Sequence, residues 1–197
     1  MTNRTMTKEP RLIAAAHGGD LDKVKQYLDE GDNPNEKYRD WDTPVHAATY
    51  PLGTECLEAI LDAGGRVDLT IGFSNEYPMD RAATYLRFEH LDMLKERGGD
   101  IDARDKFGGC VASYFAKSFH GGIGALWVVK NGADLTWRQQ KGFRQVEGYS
   151  LVDLAMEEGN YKTAQVYRDA GAPEYFHLPN TSRMDHSFPD NWRHAAA

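Results

Sequence analysis

The residues of this chain with the widest chemical repertoire are its seven histidines and two cysteines. His17, His90 and His120 stand without a second ligand at metal-binding spacing. Cys56 and Cys110 lie far apart and outside any C-x-x-C pairing, so they build neither a disulfide framework nor a zinc site. No G-x-G-x-x-G, P-loop, H-E-x-x-H or G-x-S-x-G motif occurs. Carboxylate neighbours such as Glu157 with Glu158, or Asp100 with Asp102, sit where solvated charges ordinarily sit. The residues therefore predict no catalytic group, no metal and no cofactor. What remains is the chemistry of recognition, carried by aromatic rings and arginines, and the elements that hold them decide which of these face outward.

Those elements repeat. Gly31, Gly64, Gly98, Gly132 and Gly171 each end a helical pattern and recur at spacings close to a constant period, apart from a longer last interval. With the glycines fixed, other columns fall into line. Ala15, Ala48, Ala82, Ala116 and Ala155 precede them at one offset, small residues where two helices approach closely. Val24, Leu57, Leu91, Ala125 and Ala164 form a second column, and Tyr27, Ile60, Leu94, Val128 and Tyr167 a third. The last two columns are apolar and share one helical face.

Around these columns the chain resembles the ankyrin-repeat family, whose first helix opens on T-P-L-H-x-A. Thr43-Pro44-Val45-His46-Ala47-Ala48 reproduces that motif closely. Tyr77-Pro78-Met79-Asp80-Arg81-Ala82 and Ser150-Leu151-Val152-Asp153-Leu154-Ala155 are degenerate copies. The resemblance implies an all-α solenoid of paired antiparallel helices with outward loops or short hairpins. It implies a polar extension at 1–9, repeats at about 10–40, 41–74, 75–108, 109–148 and 149–176, and a tail at 177–197. Ala195 to Ala197 read as a vector remnant. Pro44 and Pro78 fall in first helical turns, and Asp20, Thr54 and Asn160 are placed as N-caps of second helices. His46 is expected to hydrogen-bond across loops.

Departures from the repeat are where recognition is expected. The long interval puts extra residues between Trp137 and Gly148, a locally basic loop with Trp137, Arg138, Lys141, Phe143 and Arg144, residue types that interface hot spots favour. Two readings stay open: an extended hairpin that touches a partner, or a tolerated insertion with Trp137 folded back. Other predicted loop tips carry Tyr38, Trp41, Phe73 and Phe107. Tyr50, Tyr85, Arg87, Phe119 and His120 follow the alanine column and are expected on the concave side. Gly109, Gly121, Gly122 and Gly124 interrupt the fourth repeat, and Ser113 stands where an apolar residue is expected. The fourth repeat reads either as a weak unit that firms up on binding or, as we favour, as one its neighbours hold in place. The aromatic tail reads as a cap on the last repeat, with partner binding as the alternative.

The bulk composition narrows the partners. At 197 residues the chain can bury roughly 70% of its unfolded surface. With 41% hydrophobic residues and 11% aromatics it is too apolar to remain disordered at a formal charge of −7. The acidic balance disfavours nucleic acid and anionic lipid. No signal peptide or membrane span is legible, so a cytoplasmic chain, monomeric when free, is expected. The resemblance implies a protein partner, and small stand-alone ankyrin proteins of bacteria include inhibitors and immunity proteins, for which a basic target suits the charge. A scaffold, adaptor or host-directed effector is the alternative. An enzyme using the concave face is the second.

Overall fold

The computed structural model describes residues 9–118, 120–140 and 148–176. The chain forms two compact units, Met1–Gly99 and Asp100–Ala197. The first holds α1 (Arg11–His17), α2 (Leu21–Asp29), α3 (Pro44–Ala47), α4 (Glu55–Asp62), α5 (Pro78–Thr84) and α6 (Phe88–Glu96). The second holds α7 (Val111–Lys117), α8 (Gly121–Lys130), α9 (Leu151–Glu157) and α10 (Tyr161–Asp169). Consecutive helices pack as pairs, and among the described residues the loops show only isolated β-bridges. This is the expected all-α repeat of helix pairs with outward loops.

The glycine column exists because each second helix ends in a left-handed residue. Gly31, Gly64, Gly98, Gly132 and Gly171 take φ between 75° and 92°, a region that costs a side chain energy and glycine almost none. The amide after each glycine then turns back to a carbonyl of the last helical turn. Asp32, Gly65, Gly99, Ala133 and Ala172 donate to Tyr27, Ile60, Leu94, Val128 and Tyr167. The third sequence column is therefore the acceptor set of this motif as well as part of the core. The alanine column and the column of Val24, Leu57, Leu91, Ala125 and Ala164 are buried throughout.

The first helices α3, α5, α7 and α9 each answer one problem, the unsatisfied amides of a helix start, with a side chain. Thr43 Oγ1 accepts from the His46 amide, and its hydroxyl donates to His46 Nδ1 at 2.8 Å. The His46 ring's other nitrogen donates to the Glu76 carbonyl at 3.1 Å, the expected bond between loops, which sets the tautomer because a carbonyl only accepts. In the histidine's register stand Asp80, Ser113 and Asp153, which accept from the amides of Tyr77, Cys110 and Ser150. Ser113 is thus a capping residue rather than a misplaced core position. Asp20 caps α2 through the Lys23 amide as expected. Thr54 and Asn160 occupy N-cap positions without the expected side-chain bond, and Asn160 instead donates to the Ala116 carbonyl at 2.8 Å.

Two of the fourth repeat's glycines, Gly121 and Gly124, have a steric cause. A Cβ on Gly124 would stand 2.1 Å from the Phe115 ring, and one on Gly121 would meet the Phe115 carbonyl oxygen. Phe115 is fully buried, so α8 gives up helix propensity to seat that ring against its backbone.

Candidate partner-binding face

Within the first unit, α1 packs on α3 and α3 on α5, so their first-helix residues share one side. The base of that side is a charged network. Asp42, buried just before α3, receives Arg81 Nη1 at 3.1 Å from α5 and meets His17 Nε2 at 2.9 Å from α1. Arg81 also forks onto Glu76 through Nε and Nη2. One carboxylate therefore ties three repeats together, and a buried anion with this many donors is well compensated. The hydrogen bond to Asp42 raises His17 above the ordinary histidine value, with Glu9 acting in the same direction. Both His17 nitrogens lie on carboxylates, which holds the ring as a donor and leaves it no free lone pair for general-base work.

Above this network stand rings. The His17 ring meets Tyr50 edge-on at 5.8 Å, and Tyr50 meets Tyr85 at 4.7 Å. The two tyrosines are 49% and 38% exposed, and the hydrogen bond that Tyr85 shares with Tyr50 is the main cause lifting Tyr85 above the usual phenol value. Arg87, half-buried, donates from Nη2 to the Tyr50 carbonyl at 3.0 Å. Expectation placed Tyr50, Tyr85 and Arg87 together, and the structure brings them together. His17 was missed as a member, although it sits two residues after its alanine, as Tyr50 does.

The loop tips of this unit carry the most exposed rings. Tyr38 to Trp41 form a turn closed by the Trp41 amide on the Tyr38 carbonyl at 2.9 Å. Its central residues, Arg39 and Asp40, have φ of 52° and 60°. That type I′ geometry normally takes Gly, Asn or Asp, so Asp40 suits it while Arg39 costs about 1 kcal/mol or more. Trp41 leaves the turn 72% exposed, and Phe73 on the next tip is 76% exposed. The two tips are joined by Gly72 donating to the Asp40 carbonyl and Lys37 Nζ donating to the Thr70 carbonyl at 2.7 Å. Tyr38 is half-buried and carries the Arg39 guanidinium over its ring.

The second unit corrects several expectations. Trp137 is not at a tip: it is 1% exposed, and its indole N–H donates to the Gly108 carbonyl at 2.8 Å. The reason is the neighbouring loop, where Asp105 gathers the Phe107 and Gly109 amides into a tight turn that presents Gly108 to Trp137 and Gln140. Phe107 is half-buried in that turn rather than projecting. The strip leaving Trp137 pairs with the chain from Gly148 onward, Gln139 donating to the Tyr149 carbonyl and Gly148 donating back to Gln139. Arg138 is exposed and lies over the Tyr175 ring at 3.7 Å. Tyr175 and Phe176 are fixed by backbone amides donating to the buried Asp153 carboxylate. The expectations for Phe119, Lys141, Phe143, Arg144 and the tail from 177 onward fall outside the described residues.

Among the described residues no cluster of His, Cys, Asp and Glu could hold a metal ion, and no helix is long and apolar enough to cross a membrane. No protein-family model matches the chain. Over 97 residues, 49% of this chain, it is 32% identical to the human protein named Ankyrin repeat and SOCS box protein 16 (Homo sapiens). The match spans 21% of that relative, so the similarity concerns a stretch of repeats and not the relative as a whole.

Proposed function

We propose that this chain, a member of the ankyrin-repeat family, is a protein-binding module that grips its partner with the α1–α3–α5 face and the Trp41 and Phe73 tips of its first unit. The observation that carries this is the exposed row of Tyr50 and Tyr85 above a charged network that fixes their helices. Large rings held rigid lose little entropy on binding and dominate interface energetics. The strained Arg39–Asp40 turn beside Trp41 supports the same reading, because folding alone does not require a tryptophan there. The tips and the helix face belong to one compact unit, which makes them a surface held in shape before the partner arrives.

The narrower reading is an inhibitor that neutralises a basic, toxin-like protein by occupying its working surface. It is supported by the formal charge of −7. It is supported also by α4, which exposes Glu55 and Glu58 and has no lysine or arginine in the helix. Such a face would steer a basic protein. A scaffold that bridges two proteins is the alternative, favoured by the exposed Arg138, Tyr175 and Phe176 of the second unit. The test is affinity purification with wild-type and Trp41→Ala/Tyr85→Ala baits in parallel, then co-expression of the recovered protein with and without this chain. A partner held by both baits alike would refute the face. A partner whose activity is untouched by the chain would refute inhibition.

A further inference from the structure

In three of the repeats the turn between first and second helix has the same backbone design. Its central residue is left-handed, namely Gly19 (φ 66°), Leu86 (φ 55°) and Gly159 (φ 73°). The next residue caps the second helix and donates back to the alanine column: Asp20 to Ala15, Arg87 to Ala82 and Asn160 to Ala155. Two of the three use the residues such a turn favours, a glycine followed by Asp or Asn. The third repeat breaks both preferences in succession. Leucine occupies the left-handed position, and arginine, with no acceptor to offer, takes the cap at φ −90° and ψ 77°, nearly the conformation of Asp20 at −84° and 83°. Two adjacent local violations are what a functional demand on the sequence leaves behind.

Arg87 is also uncompensated. Arg11, Arg66, Arg81 and Arg97 of this unit each hold a carboxylate. Arg87 has none within ion-pair distance among the described residues: Nη2 uses the Tyr50 carbonyl, and its buried Nε has no acceptor. Its charge is felt nearby, since His90 is held below its ordinary value first by burial and then by Arg87. A guanidinium offers a planar fork that a carboxylate fills with two parallel bonds. Its Nη2 sits on the backbone carbonyl of Tyr50, a member of the exposed Tyr50–Tyr85 pair, and a peptide bound over that pair would exclude water and strengthen such an ion pair.

The geometry points to Arg87 as the receptor for a carboxylate carried by the partner protein, an Asp or Glu on a segment laid over Tyr50 and Tyr85. This rests on the binding face proposed above and specifies its chemistry. A partner of basic overall charge presents this acidic residue locally, as the acidic chain here presents a local arginine.

The test is selection of short random peptides displayed on phage against the full chain, followed by affinity measurement on Arg87→Ala, Arg87→Asp and Tyr85→Ala. The selected peptides should share an Asp or Glu, bind Arg87→Ala roughly 10- to 100-fold more weakly, as loss of a charged hydrogen-bonded pair implies, and weaken equally when their own acidic residue becomes Asn or Gln. Arg87→Asp restores the cap that Asp20 provides, so it should melt no lower than wild type while losing the peptides. Peptides that need Tyr85 but are indifferent to Arg87 would overturn this inference and leave the binding face standing. Peptides indifferent to both residues, or a selection that yields none, would sink both. A fall of several degrees in the melting temperature of Arg87→Asp would assign the arginine to folding and overturn it as well.

Discussion

Burial of His46 makes acid the sharpest probe of this fold. The ring is fully enclosed, donates to Glu76 O and accepts from Thr43, and burial first, then the charge of Arg81, pushes its pKa down from 6.5 to about 3. The native ring therefore stays neutral while the unfolded ring protonates below pH 6.5, so the unfolded state binds more protons and stability falls with pH. Its contribution is fully present above 6.5 and is lost progressively as the pH falls toward 3. Between pH 7 and pH 4.5 the loss from this one residue comes to about 2–3 kcal/mol, an average of about three-quarters of a proton of linkage. The figure is insensitive to the native value, since raising that value by about a unit changes the result by less than about a tenth. His90, lowered chiefly by burial, adds in the same direction, so the difference between two proteins isolates His46. The assay is urea unfolding of wild type and His46→Gln at a series of pH values. Glutamine can keep a donor and an acceptor but does not titrate. His46→Gln should begin less stable and lose about 2–3 kcal/mol less than wild type over this range. Parallel pH profiles would show that the buried neutral histidine is not what the fold holds against acid.

Further perturbations test the packing and the face. Gly124→Ala gains up to about 1 kcal/mol of helix propensity but forces the Phe115 ring aside. The overpacking cost of about 1–3 kcal/mol should win, lowering the urea midpoint, and Phe115→Leu in the same chain should recover part of it. Trp137→Phe keeps most of the apolar volume and leaves the Gly108 carbonyl without its donor, a loss of about 1–3 kcal/mol read by thermal unfolding. His17 works in the opposite sense to His46. Its folded pKa is raised, so its contribution is present below 6.5 and is lost as the pH rises through the raised value. NMR titration of its ring should give a midpoint above 6.5 in wild type, and Asp42→Asn should bring it down.

Much of the fold is written in the sequence because the repeat states it several times. Each glycine, alanine and apolar column solves the same local problem, so a single degenerate member such as Tyr27 does not obscure the pattern. The candidate site is less legible because it depends on the exceptions. Trp137 and Trp41 look alike as aromatic residues in loops, yet one closes over a neighbouring turn through an indole hydrogen bond and the other leaves a strained turn into solvent. Only the position of the Gly108 carbonyl separates them, and that depends on Asp105 folding a loop in a different repeat. Ser113 and Asp153 were readable in principle, since capping residues three positions into a helix follow from the register of His46. The pairing of His17 with Asp42 and of Asp42 with Arg81 spans three repeats, and spacing within one repeat gives no hint of it.

The central claim is that the first unit binds a protein through Trp41, Phe73, Tyr50 and Tyr85. Calorimetric titration of the recovered partner into wild type, Trp41→Ala, Tyr85→Ala and the control Lys162→Ala, on an exposed site of α10, tests it most directly. Loss of a hot-spot ring costs about 2 kcal/mol or more, so each of the first two variants should weaken binding by roughly 30-fold or more, while the control matches wild type. Affinities unchanged by Trp41→Ala and Tyr85→Ala, at full helical content, would contradict it.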